Sequence, residues 1–140
     1  MIDFFKKRQG EVESEPQGGG ATVLIVDDSP TETTVFRNAL VKAGFQVETA
    51  SNGEEGVQAA RKLHPDVILM DVIMPGLNGF QATRMLKKDP ATAEIPVIVV
   101  TTKDQQTDRT WGLRQGAVDY LVKPVDPNEL VARVKVVLGE

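Results

Sequence analysis

The stretch Val23-Leu24-Ile25-Val26-Asp27-Asp28-Ser29-Pro30-Thr31-Glu32 decides the fold. Its opening four residues form an apolar run of strand length, and two carboxylates close it. Ser29-Pro30-Thr31-Glu32 then has the pattern of a capping box, with Ser29 as N-cap, Pro30 at the first helical position and Glu32 reaching back from the third. Phe36, Ala39, Leu40 and Ala43 follow at i, i+3, i+4 and i+7, and Gly44 stops the helix. A strand handed directly to a helix is the unit of a parallel sheet.

The unit recurs along the chain. Val47-Glu48-Thr49, Val67-Ile68-Leu69-Met70, Val97-Ile98-Val99-Val100 and Tyr120-Leu121-Val122 are the other strand-like runs. Helical patterns over Glu54–Leu63, Asn78–Lys88 and Gln105–Gln115 separate them. A final helix starts at Asp126-Pro127-Asn128-Glu129 and carries Leu130, Val131, Val134 and Leu138. The first, third and fourth runs are continuously apolar, as strands are when helices cover both faces of a sheet. Val47-Glu48-Thr49 is half polar, which suits an edge. The expectation is an α/β domain, a doubly wound five-stranded parallel sheet with five helices.

Composition sets the limits. The chain has 140 residues with 41% apolar and 26% charged types, enough for one core without metal or disulfide support. It contains no cysteine, which removes thiolate zinc sites and dithiol redox chemistry. A net charge of −4 argues against a nucleic-acid-binding domain. No apolar run reaches a membrane span of roughly 18 residues, and Asp3, Lys6, Lys7 and Arg8 interrupt any signal-peptide core. A cytoplasmic location is expected. Residues 1–21, with Glu11, Glu13, Glu15, Pro16 and Gly18-Gly19-Gly20, read as a flexible extension before a domain at 22–140. Phe4 and Phe5 beside Lys6-Lys7-Arg8 read as a solvated tail rather than an anchor.

In an open parallel sheet, chemistry sits at the carboxyl ends of the strands. Asp27 and Asp28 follow the first strand, Asp71 the third, Thr101 the fourth and Lys123 the last. Any one Asp could be a turn former or an N-cap. Together they are harder to dismiss, because like charges about 4 Å apart repel by roughly 4 kcal/mol at an effective dielectric near 20. One lysine does not balance three acids. A divalent cation does, and an all-oxygen donor set favours Mg²⁺ or Mn²⁺ over Zn²⁺. Metal, carboxylate nucleophile, hydroxyl and ammonium are also the components of phosphoryl transfer.

Val26-Asp27-Asp28-Ser29-Pro30, Leu69-Met70-Asp71-Val72-Ile73-Met74-Pro75-Gly76, Val100-Thr101-Thr102 and Tyr120-Leu121-Val122-Lys123-Pro124 resemble the receiver domain of bacterial two-component response regulators. The resemblance covers about residues 22–138. It implies a flavodoxin-like sheet in the order 2-1-3-4-5. Pro75–Arg84, Thr101–Gln105, Trp111-Gly112, Arg114–Ala117 and Lys123–Asp126 are similar, more narrowly, to single-domain regulators of type IV pilus twitching-motility systems.

By that resemblance Asp71 is the phosphoacceptor, and Asp28, Asp71 and the Ile73 carbonyl bind Mg²⁺ (or Mn²⁺), with Asp27 acting through water. Thr101 would hydrogen-bond the phosphoryl group, Lys123 would pair with it and Tyr120 would report the switch. Lys123–Pro124 would be a cis peptide, since X–Pro bonds are those in which cis is cheap. The implied activity is that of a switch rather than an enzyme. The partners implied are a sensor histidine kinase and a downstream protein, the latter docking on the face made by the Gln105–Gln115 helix, the last strand and the last helix. The chain shows no output domain, so output is expected through protein contact. Two positions depart from the best-studied chemotaxis receivers: Ile73 stands where they have a polar residue, and Lys103 where an acid is common.

Three rivals share part of this pattern. A flavin carrier needs a hydroxyl- and glycine-rich loop where Asp27-Asp28 would repel phosphate, and a haloacid-dehalogenase phosphatase needs Asp-x-Asp after one strand. The third is an unphosphorylated receiver-like scaffold, which the filled motif positions disfavour. His64, before Pro65, reads as a helix-end residue. Gly112 and Leu113 are expected to face the sheet, leaving Trp111 partly exposed for side packing or partner recognition.

Overall fold

The computed structural model describes residues 20–140, and the expectations about Phe4, Phe5 and Lys6-Lys7-Arg8 lie outside them. The chain runs β1 (Thr22–Val26), α1 (Pro30–Lys42), β2 (Gln46–Ala50), α2 (Gly53–Leu63), β3 (Val67–Met70), α3 (Gly79–Lys88), β4 (Val97–Thr101), α4 (Gln106–Arg114), β5 (Asp119–Val122) and α5 (Pro127–Val137). Among the described residues the five strands are all parallel, in the order β2-β1-β3-β4-β5.

Alternation along each central strand explains why the runs are apolar throughout. Val23, Ile25, Val67, Leu69, Ile98 and Val100 point to one face, where Phe36 and Leu40 of α1 and Leu130 and Val134 of α5 meet them. Leu24, Val26, Ile68, Met70 and Val97 point to the other, against Val57 and Ala60 of α2 and Ala82 and Leu86 of α3. Neither face reaches water, so neither tolerates a polar residue. β2 lies at the sheet edge and is mostly exposed, which its mixed sequence permits.

Short polar residues start α1, α2, α3 and α5, satisfying backbone N–H groups that have no partner within the helix. Ser29 Oγ accepts from the Glu32 N–H at 3.3 Å, Asn52 Oδ1 from Glu55 at 2.9 Å and Asp126 Oδ1 from Asn128 at 2.8 Å. Asn78 and Gln81 form a reciprocal box at 2.9 and 3.0 Å. His64 ends α2 in the left-handed conformation at φ 49°, consistent with its reading as a helix-end residue.

Two local readings need correction. Glu32 does not reach back to the N-cap, because the Ser29 N–H is already held by Asp27 Oδ1 at 2.8 Å and the Glu32 carboxylate binds Lys123 instead. Leu113 does not face the sheet but is 46% exposed. Gly112 alone takes the inner position, since a Cβ there would sit 3.0 Å from the Tyr120 ring and 3.1 Å from Phe80.

Candidate functional site

Strand register assembles the site. Val26 pairs with Met70 across β1 and β3, so Asp27 and Asp71 emerge side by side. The Asp71 N–H continues the ladder to the Val26 carbonyl at 2.9 Å, and the Asp27 N–H to the Ala50 carbonyl at 3.1 Å. Thr101 pairs with Val122 across β4 and β5, and its carbonyl accepts the Lys123 N–H at 2.8 Å. The Lys123–Pro124 peptide is cis. Parallel strands ending at one level therefore bring Asp27, Asp28, Asp71, Thr101 and Lys123 to one edge.

The side chains converge there. One carboxylate oxygen from each of Asp27, Asp28 and Asp71 lies within 4.8 Å of the others. Asp27 and Asp71 are buried, whereas Asp28 is exposed. Asp71 Oδ1 accepts the Val72 N–H at 2.7 Å and the Ile73 N–H at 3.4 Å, which fixes the carboxylate plane. Lys123 Nζ donates to Asp27 Oδ2 at 2.9 Å, to Asp71 Oδ2 at 3.3 Å and to Glu32 Oε1. The Ile73 side chain is exposed.

Burial dominates the electrostatics of Asp71. It pushes the carboxyl above the ordinary aspartate range, and Asp27 adds to the shift, while Lys123 and the Val72 N–H oppose it without reversing it. Burial alone would pull the Lys123 ammonium down. Its hydrogen bonds to Glu32 and Asp27, with the charges of Asp71 and Asp27, outweigh that and hold it well above the usual lysine value. Three carboxylates thus share one charged ammonium, and Asp28 adds a fourth negative charge beside Asp27 and Asp71. The donor chemistry fits a hard divalent cation: clustered anionic oxygens, no nitrogen or sulfur ligand, and excess negative charge.

Thr101 and Tyr120 are joined through one residue. Thr101 is fully buried, and its Oγ1 accepts the Lys103 N–H at 3.3 Å. The Tyr120 hydroxyl donates to the Lys103 carbonyl at 2.8 Å. The Tyr120 ring is only 2% exposed, so it already lies inward, with the Arg109 guanidinium 5.2 Å from its centroid. Its phenol is pushed up to about 12 by burial, with Asp108 and Asp104 adding to the shift and Arg109 opposing it. Trp111, on α4, is 49% exposed.

Sequence reading missed Glu32 as a member of this site. Its place after Ser29 satisfied a capping pattern, and only the approach of Lys123 from the far end of the chain reveals its role. The available signal was its position in the first turn of α1, immediately after the strand-end acids.

A family model described as the response regulator receiver domain matches residues 23–135. Protein PilH of Pseudomonas aeruginosa is 60% identical over 119 residues, which make up 85% of this chain and 98% of that protein. Among solved structures, the chemotaxis protein CheY4 of Vibrio cholerae superposes with a TM-score of 0.81 at 34% identity, covering 85% of this chain and 99% of that one. The beryllofluoride-activated DrrB receiver domain gives a TM-score of 0.78 at 29% identity, covering 86% and 99%. The sheet order, the strand-end acids and these matches agree, and the chain belongs to the response regulator receiver domain family.

Proposed function

We propose that the chain is the phosphoacceptor of a two-component signalling system, taking a phosphoryl group from a sensor histidine kinase onto Asp71. The observation that carries this reading is the buried Asp71 carboxylate, set among Asp27, Asp28 and the shared Lys123 ammonium. An Asp71 carboxylate oxygen attacks the phosphorus of a phosphohistidine. A P–O bond forms, the P–N bond breaks, and the imidazole leaves with the electron pair and takes up a proton. Asp28, Asp71 and the Ile73 carbonyl would hold Mg²⁺ (or Mn²⁺), with Asp27 acting through water. The cation, when bound, neutralises phosphoryl oxygens. Lys123 supplies the complementary positive charge from the protein.

The phosphoryl group adds about −1.5 to −2 charge and three acceptor oxygens. Lys123 absorbs part of that charge, and Thr101 Oγ1 supplies a neutral donor. Thr101 is tied to Tyr120 through the backbone of Lys103, so a shift at Thr101 loads the Tyr120 hydroxyl bond. That link carries the signal toward the α4–β5–α5 face, where Trp111 offers a surface for a downstream protein. The role is that of a switch, with only slow self-phosphorylation and autodephosphorylation. We take residues 22–140 as the signalling unit and 1–21 as an extension of it. The motifs resembling type IV pilus regulators, together with the 60% identity to PilH, support a place in twitching motility.

Intact-mass measurement after incubation with acetyl phosphate tests the reading. One added phosphoryl group with Mg²⁺, none with a chelator and none for Asp28→Ala is the expected set of results. No gain in the wild type would leave the protein an unphosphorylated scaffold.

A further inference from the structure

A lysine ammonium has three N–H donors. Lys123 gives them to Asp27 Oδ2, Asp71 Oδ2 and Glu32 Oε1. Two of these acids also belong to the oxygen cluster suited to a cation, but Glu32 does not. Glu32 therefore holds the ammonium without offering a ligand. Its backbone is fixed in the first turn of α1 by Ser29, while its side chain is 42% exposed.

We propose that Glu32 is a positioning residue that sets the balance between cation and phosphoryl affinity at the Asp27–Asp28–Asp71 site. The role rests on the phosphoacceptor reading above. A phosphoryl group on Asp71 needs an N–H of Lys123, and Glu32 competes for that donor. Its negative charge repels the incoming anion and attracts the cation. Removing the charge therefore moves the two affinities in opposite directions, which a general loosening of the fold does not do.

The test is calorimetric titration of wild type, Glu32→Gln and Glu32→Asp, first with Mg²⁺ alone and then with beryllofluoride at saturating Mg²⁺. Glu32→Gln is expected to weaken Mg²⁺ about fivefold and tighten beryllofluoride about fivefold, a Coulomb effect cut by solvent at the exposed carboxylate. Glu32→Asp keeps the charge but not the reach, so it should tighten beryllofluoride while changing Mg²⁺ affinity by less than about twofold. It also carries the test if Glu32→Gln does not fold. Unchanged affinities, or shifts of both ligands in the same direction, overturn the role of Glu32 alone. A wild type that binds neither ligand overturns the phosphoacceptor reading, and this role with it.

Discussion

Replacing Gly79 with alanine drives a methyl group into the backbone that carries Asp71. The added Cβ would lie 2.0 Å from the Asp71 carbonyl oxygen, 2.7 Å from its carbonyl carbon and 2.8 Å from Val72 Cα. All three atoms are main chain, so no rotamer change relieves the clash. The start of α3 and the Asp71–Val72 segment must separate by about 1 Å to restore ordinary contact. The segment is also tied to α3 by the Gly79 N–H on the Val72 carbonyl at 3.0 Å, and within α3 Thr83 Oγ1 holds the Gly79 carbonyl at 2.7 Å. Overpacking costs about 1–3 kcal/mol, a strained hydrogen bond adds about 1, and the better helix propensity of alanine returns up to about 1. The net loss is about 1–4 kcal/mol, equivalent to about 3–14 °C in melting temperature for a chain of this size. A carboxylate displaced by about 1 Å should also slow phosphorylation by acetyl phosphate about 100-fold. Thermal unfolding followed by circular dichroism reads the first effect and intact-mass kinetics the second. A Gly79→Ala protein that melts within about 2 °C of wild type and phosphorylates at the same rate refutes this packing of α3 on the site.

Asp71→Asn should melt above the wild type at neutral pH without metal. Burial raises the Asp71 carboxyl pKa in the fold, so the stability tied to its protonated form is present at low pH and lost as pH rises through the raised value. The gap should close near pH 3, and a variant that melts earlier at pH 7 contradicts the assignment. Tyr120 is the only tyrosine, so phenolate absorbance reports it alone; the folded protein should titrate near 12 and the denatured one at about 10. Its contribution to stability holds below about pH 10 and is lost toward 12, and a folded midpoint near 10 would mean that the ring is not buried. Deleting residues 1–20 should change the melting temperature by less than about 2 °C, because among the described residues the buried core begins at Val23. A larger drop would place the extension on the domain.

The fold was readable because its signals are local and repeated. Val23–Val26, Val67–Met70 and Val97–Val100 are apolar on both faces, and each is followed by a residue whose place at the strand end needs no tertiary information. Asp27, Asp71, Thr101 and Lys123 could be placed on one edge for that reason. Glu32 could not, since its partner Lys123 lies 91 residues away and its own surroundings already explained it as a cap. On α4, Gly112 and Trp111 were placed correctly, but Leu113 was misread for a related reason. The helix buries only Gly112, so the Tyr120 and Phe80 rings, rather than an apolar stripe, decide which side faces in. The inward Tyr120 was equally hidden, because the Lys103 carbonyl that holds it comes from a loop with no sequence signature.

The most direct measurement locates the phosphoryl group itself. Wild type and Asp71→Asn are incubated with acetyl phosphate and Mg²⁺, reduced with borohydride to trap any acyl phosphate, and mapped by peptide mass spectrometry. Modification confined to Asp71 in the wild type and absent from the variant is the predicted result. Modification at Asp27, Asp28 or Glu32, or a modified Asp71→Asn protein, would contradict the assignment of Asp71 as the phosphoacceptor.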